Sequence, residues 1–367
     1  MSIRVKLEDV CERGSSNLRQ SDVEGKSGDY PIYGAAGWIG NVDFFHQEKP
    51  YVAVVKDGAG IGRTTLLPAR SSVIGTMQYL LPKENVLPEY LCYVVRHMHL
   101  EKYFSGATIP HIYYRDYKNE EFNLDSLSRQ AEIIDILSRV ERVINGRQKE
   151  LTFLDDLIKA RFVELFGDPV DNPKGWRMKK LQELVSDDCT ISYGIVQTGD
   201  DREEGIPVFR PVDIVNHVPI RSELKKTTEE ISNKYKRTIL KGREMLITVR
   251  ANIADTCIVG EEFVGCNVGR GIVPIRTKED EMILEFLKYQ IDSKHLNDNI
   301  KALAKGITLI QLNMEDLREI SLIVPPIEQQ KAYVEFAKQV DKSKVAVQKA
   351  LDEAQLLFDS LMQQYFG

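Results

Sequence analysis

Shifted by 200 positions, residues 106–167 lie on residues 306–367 without a gap, and no other feature constrains the fold of this chain as tightly. Eleven of the 62 superposed positions are identical, among them Gly106 with Gly306, Thr108 with Thr308, Asp116 with Asp316, Gln130 with Gln330 and Phe166-Gly167 with Phe366-Gly367. The apolar positions between them correspond as well, Ile112 with Leu312, Phe122 with Leu322 and Phe162 with Met362. The front parts agree more loosely. Val5-Lys6-Leu7-Glu8-Asp9-Val10 resembles Lys179-Lys180-Leu181-Gln182-Glu183-Leu184, Tyr30-Pro31-Ile32-Tyr33 resembles Ile206-Pro207-Val208-Phe209, and YVAVVKDG from Tyr51 resembles MLITVRAN from Met245. Each half therefore reads as one variable globular domain followed by one long helix.

The helices follow from spacing. Leu137, Val140, Ile144, Arg147, Leu151, Leu154, Ile158, Arg161 and Leu165 alternate steps of three and four, and so do Ala337, Val340, Lys344, Val347, Leu351, Ala354, Phe358, Leu361 and Tyr365. A sustained period of 3.5 residues keeps one apolar seam on one side of a helix, the pattern of a coiled coil. No proline interrupts either stretch from about 129 to 166 or 329 to 366, Pro325-Pro326 precedes the second, and Gly167-Asp168-Pro169 stops the first. Some 38 helical residues extend roughly 57 Å, more than a globular core needs, so each seam must bury against something. Two matched seams in one chain predict that the two helices pair with each other. The boundaries expected are 1–125, 126–167, 168–325 and 326–367 for domain, helix, domain and helix.

Short β-branched runs bounded by Gly, Pro or Asp predict strands at Tyr51–Val55, Ile74–Leu80, Met245–Val249 and Gly271–Ile275, and amphipathic helices are expected over Pro88–Tyr103 and Met282–Leu303. The fold class is α+β: two mixed, strand-rich domains separated by two long helices that form an antiparallel coiled coil.

With 49 Lys+Arg against 55 Asp+Glu the net charge is −6, which argues against a polybasic protein coating nucleic acid indiscriminately. None of the four segments is basic overall. No apolar run approaches the roughly 18 residues of a membrane span, and MSIRVKLEDV lacks the apolar core of a signal peptide, so the expected location is the cytoplasm without membrane attachment. Cys11, Cys92, Cys189, Cys257 and Cys266 are never spaced C-x-x-C and read as reduced and mostly buried.

The search for catalytic chemistry finds little. Gly58-Ala59-Gly60-Ile61-Gly62-Arg63 follows a strand but lacks the spacing of a dinucleotide or phosphate-binding loop, and reads as a tight turn bringing backbone amides and Arg63 close to an anionic partner. The six histidines form no metal-ligand series, no nucleophile elbow occurs, and the Asp/Asn-Pro-Pro-Tyr/Phe loop of an amino-methyltransferase is missing. No catalytic residue and no metal site is expected. What stands out is a set of loops rich in phosphate-binding types (Lys, Arg, Thr, Gly amides) and base-edge readers (Arg, Asn, Gln, Asp).

Two variable domains, each ending in a Gly-x-Thr segment (SGATIPHI, KGITLIQLN), an apolar strand, a helix start (Ser-Leu-Ser-Arg-Gln, Pro-Pro-Ile-Glu-Gln-Gln) and a long helix, resemble the specificity subunit of type I restriction-modification systems over essentially the whole chain. The first copy departs from the proline-rich start, with Leu124-Asp125-Ser126-Leu127 where the second has Val324-Pro325-Pro326-Ile327. The resemblance implies two target recognition domains, each reading one half of a bipartite site on double-stranded DNA, with the helices as spacer. It implies two modification subunits that bind S-adenosylmethionine, restriction subunits that use ATP and Mg, and no cofactor in this chain. Lys56, Arg63, Thr108, Lys305 and Thr308 are then the candidates for phosphate positioning, Trp38, His111, Arg210, Asn252, Arg270 and Gln311 the candidates near base edges, and Arg250 a further DNA-binding candidate. A protein-binding scaffold and a divergent nuclease are the competing readings.

Overall fold

Gln130 and Gln330, identical across the repeat, turn out to be fully buried joints between each long helix and its domain. Gln130 accepts from the Leu87 amide (2.8 Å) and donates to the carbonyls of Asn85 (3.0 Å) and Asp125 (2.8 Å). Gln330 accepts from the Ile283 amide (3.0 Å) and donates to Glu281 (2.9 Å) and Pro325 (2.8 Å). Each glutamine thus satisfies both the start of its own helix and the start of a domain helix, Pro88–His97 or Leu284–Ile291. Replacing either by leucine leaves one N–H and two C=O groups without partners, at about 1–3 kcal/mol per orphaned group. We expect Gln130→Leu and Gln330→Leu each to lower stability by about 3 kcal/mol or more in chemical denaturation.

The computed structural model describes residues 2–106, 110–214, 220–306 and 310–367. Two compact units share the chain: Met1–Glu150 with Val347–Gly367, and Leu151–Ala346. Both long helices, Leu127–Phe166 and Ile327–Phe366, run from one unit into the other.

In the first unit Cys11–Ser15, Met77–Pro82, Tyr51–Val55 and Thr64–Leu67 form an antiparallel sheet in that order. Tyr30–Gly34 lies between Gly37–Val42, antiparallel, and Ser72–Val73, parallel. Ile3–Lys6 pairs with Glu121–Leu124. The helix Pro88–His97 covers the main sheet with Tyr90, Leu91, Val94 and Val95, all buried, and the core is completed by Ile133, Leu137 and Met362 from the long helices.

The second unit repeats the plan. Glu244–Thr248 is central between Thr256–Val259 and Ile272–Ile275, and Ile206–Phe209 lies between Lys225–Thr227, antiparallel, and Asn267–Val268, parallel. Met178–Lys180 pairs with Ser321–Ile323. Phe166 is fully buried among Phe162, Phe286, Tyr333 and Trp176, whose indole N–H donates to the Phe166 carbonyl at 2.9 Å. In the first unit the matching Phe366 packs on Tyr90.

Every predicted seam position of both helices is buried or half-buried, and the pairing is antiparallel inside each unit. In the first, the Arg129 guanidinium lies over the Tyr365 ring at 5.7 Å. In the second, Phe162 meets Tyr333 (5.4 Å), Arg161 lies over Phe336 (6.0 Å), and Asp155 pairs with Lys344 (2.6 Å), which accounts for a lysine in an apolar seam. Where the first copy lacks the prolines, the Ser126 hydroxyl accepts from the Arg129 amide at 3.4 Å and caps the helix start instead.

Three expectations shift. The helix expected over 88–103 stops at His97, because His99 takes a left-handed conformation (φ 51°) before a short 3-10 turn at Leu100–Tyr103. That over 282–303 splits into Leu284–Ile291 and Lys294–Ala302. The likeness of YVAVVKDG to MLITVRAN is one residue out of register. Tyr51 corresponds to Glu244, because Val52 pairs with Leu80 as Met245 pairs with Ile275, and Val55 with Met77 as Thr248 with Ile272. Runs buried on both faces carry no alternation to mark the face, so sequence alone does not set register.

Candidate nucleic-acid interface

Both units build the same backbone frame at the end of the central strand. In the first, the Lys56 carbonyl accepts from Ile112 (3.0 Å), the Lys56 amide donates to Thr76 (3.0 Å), and Ser105 and His111 exchange two backbone bonds (both 2.9 Å) that close a loop. In the second, Val249 accepts from Leu312 (2.9 Å) and donates to Gly271 (2.8 Å), and Lys305 and Gln311 close the loop (2.9 and 3.0 Å). The neighbouring strand is tied in equally: Ile74 donates to the Tyr33 carbonyl (2.9 Å) and Gly269 to that of Phe209 (2.8 Å). The frame equates Asp57 with Arg250, His111 with Gln311, Ser105 with Lys305, Gly34 with Arg210 and Gly75 with Arg270. Thr108 and Thr308 fall within these loops and lie outside the described residues.

On the first frame the Asp57 carboxylate contacts His111 Nδ1 and lies 3.8 Å from the Lys56 ammonium, while the His111 ring stands edge-on to Tyr113 at 4.2 Å. Lys56 is less open than a phosphate contact would suggest: burial, helped by the positive charge of Arg13, pulls its ammonium below the usual lysine range. The glycine turn serves the frame more than an anion, since the Gly58 and Gly62 amides donate to Pro110 (2.9 Å) and Val55 (2.8 Å). Gly60 takes a left-handed φ of 85° that favours glycine, with the Arg63 guanidinium packed over it. Exposed Arg63 donates to the Ala35 carbonyl at 3.2 Å, drawing in the hairpin that carries Trp38. Trp38 is 64% exposed, with its indole N–H on Asn41 Oδ1 at 3.0 Å. A large aromatic left in water is an interaction feature rather than a core one.

The second frame concentrates arginines. The Arg250 guanidinium donates to Gln311 Oε1. Gly271 lets the Pro211 and Arg270 turns close on Arg250, since a Cβ there would come within 2.4 Å of Pro211 Cγ and 3.3 Å of Arg250 Cβ. Arg210, next to Pro211, is held by a two-bond fork to Asp213 (3.1 and 2.8 Å), which raises its pKa, so its fork is already engaged. Arg270 is exposed in its turn. Asn252 is exposed in the turn between Glu244–Thr248 and Thr256–Val259, where its carbonyl takes the Thr248 hydroxyl. Lys305 is 72% exposed, 3.5 Å from Asp316.

The frames therefore gather Lys56, Arg63 and His111 with the Trp38 hairpin in one unit, and Arg210, Arg250, Arg270, Lys305 and Gln311, with Asn252 nearby, in the other. Sequence reading missed Asp57. Its only signal was its place beside Lys56 in a presumed turn. Among the described residues, Asp168, Asp171 and His295 also lie close enough to share a cation, although no histidine series announced it. The His295 to Asp168 pair (3.1 Å) ties the segment after the first long helix to Lys294–Ala302. All five cysteines are unpaired, and Cys189 alone is half-buried rather than buried. No helix among the described residues is long and apolar enough to cross a membrane.

Comparison with known proteins bears directly on these frames. The family model described as the type I restriction modification DNA specificity domain matches residues 4–152 and again 173–354. The EcoBI type I restriction enzyme specificity subunit of Escherichia coli is 26% identical over 241 residues, covering 64% of this chain and 50% of that protein. The putative MjaX specificity subunit of Methanocaldococcus jannaschii is 24% identical over 282 residues, covering 71% of this chain and 62% of that protein. The matched region thus spans about half to two-thirds of the length of these relatives. In fold, the chain is similar to the S subunit of a type I restriction-modification system from M. genitalium, with a TM-score of 0.62 at 14% identity, covering 100% of this chain and 96% of that one. A family model that takes in both halves of the duplication accounts for the repeat, the helices and the two frames together: the chain belongs to the type I restriction-modification specificity subunit family.

Proposed function

We propose that this chain selects the DNA sequence for a type I restriction-modification complex, each unit reading one half of a bipartite duplex site. The observation that carries the reading is the duplicated frame, which keeps one backbone arrangement and changes its polar side chains from one unit to the other. A fixed scaffold with exchanged readers is what recognition of two different half-sites requires, because base edges differ only in their donors and acceptors. In this proposal the chain contributes no catalytic residue and no cofactor. Two modification subunits supply S-adenosylmethionine and adenine methylation, restriction subunits supply ATP- and Mg-dependent cleavage, and the complex works in the cytoplasm.

With a net charge of −6, the chain as a whole exerts no positive field on DNA, and in this proposal the partner subunits add the further positive surface that counterion release rewards. A gel shift of the purified chain with and without its co-expressed modification subunit tests this. Selective, salt-sensitive binding that depends on the partner is expected. No DNA binding in either case would favour a protein scaffold, and metal-dependent cutting by the chain alone would favour a nuclease.

A further inference from the structure

We propose that the side-chain pair at the strand end of each frame determines one base of its half-site: Arg250, positioned by Gln311, reads a guanine, and Asp57, positioned by His111, accepts from an exocyclic amino group of cytosine or adenine. This inference rests on the DNA-recognition reading and goes beyond it by assigning the base class. Three observations carry it. The two pairs occupy one position, since Asp57 bridges to His111 as Arg250 bridges to Gln311, and both close loops of the same length. Within a shared backbone the chemistry inverts, from a carboxylate that can only accept to a guanidinium that can only donate. Neither pair is core: all four residues are half-buried, so each is oriented yet reachable.

A carboxylate facing DNA is repelled by phosphates, and it gains only where a base offers an amino hydrogen. Asp57 is poised for that, with Lys56 at 3.8 Å offsetting its charge and His111 holding one side of it. Arg250 presents the donor fork that matches O6 and N7 of guanine, and its bond to Gln311 fixes the fork in place before DNA arrives. Arg270, exposed where the first unit has only Gly75, adds donors beside it, whereas Arg210, where the first unit has Gly34, keeps its fork on Asp213.

The test uses the full chain co-expressed with its modification subunit, selecting from a randomised duplex library, with thermal melts to confirm that each variant is folded. Arg250→Ala should lose preference for guanine at one position by about tenfold or more and leave the other half-site unchanged. Arg250→Lys keeps the charge but loses the fork and should relax the same position. Gln311→Leu should weaken the preference there without replacing it. Asp57→Asn should alter one position of the other half-site, and whether cytosine or adenine preference falls identifies the amino group. Equal loss of affinity for all sequences, or an unchanged profile, overturns the assignment. If the unsubstituted complex itself selects no sequence, the recognition reading fails instead.

Discussion

Arg276→Met is expected to destabilise the Leu151–Ala346 unit by about 3–5 kcal/mol, because removing one partner of a buried ion pair leaves the other charge without compensation. The Glu244 side chain has no exposed surface. One of its oxygens takes Arg276 Nη1 at 2.7 Å and the Lys241 amide at 2.7 Å. Arg276 continues outward to the Asp188 carbonyl (2.8 Å) and carboxylate (3.2 Å), and Asp188 meets Lys241 (2.7 Å). The network fastens the central strand to Ile272–Ile275 and to the 186–189 turn. Denaturant midpoints of the variant give the cost. A double replacement by apolar residues of similar volume should recover much of it, since the desolvation penalty of the pair is then removed with the pair. A single variant as stable as the parent would show that the Glu244 charge is compensated elsewhere.

The second large effect concerns recognition. Arg250→Ala combined with Arg270→Ala should weaken binding of the assembled complex to its own site by about 30-fold or more, from about 1 kcal/mol or more for each base-reading arginine removed. The dependence of log K on log salt should stay close to that of the parent, because both arginines are assigned to base edges and not to phosphates. Titration of a fluorescent duplex at several salt concentrations measures both. Unchanged affinity and methylation sites would remove the second frame from the interface.

Much of the fold was legible in the sequence. The 200-residue repeat and the 3.5-residue seams carry long-range information in local spacing, because a helix that must bury one stripe has to show it. Gln130 and Gln330 were visible as an identity, but their reason lies in backbone groups some 45 residues away that no pattern announces. The register of Tyr51–Val55 against Glu244–Thr248 was missed by one residue, and with it the equivalence of Asp57 and Arg250. Arg210 looked like a free reader, while its fork to Asp213 is set by a 3-10 turn that only the fold reveals. The loop side chains are the least legible part, since their partners come from different strands and no periodicity ties them together.

Adenine methylation mapped across the genome of cells with and without this gene, its modification partner present in both, tests the central claim most directly. The expected result is one motif that appears only with the gene, made of two specific halves separated by a stretch of unspecified bases. Gene-dependent methylation at a single continuous motif, or none at all, would contradict the assignment of two half-site readers to this chain.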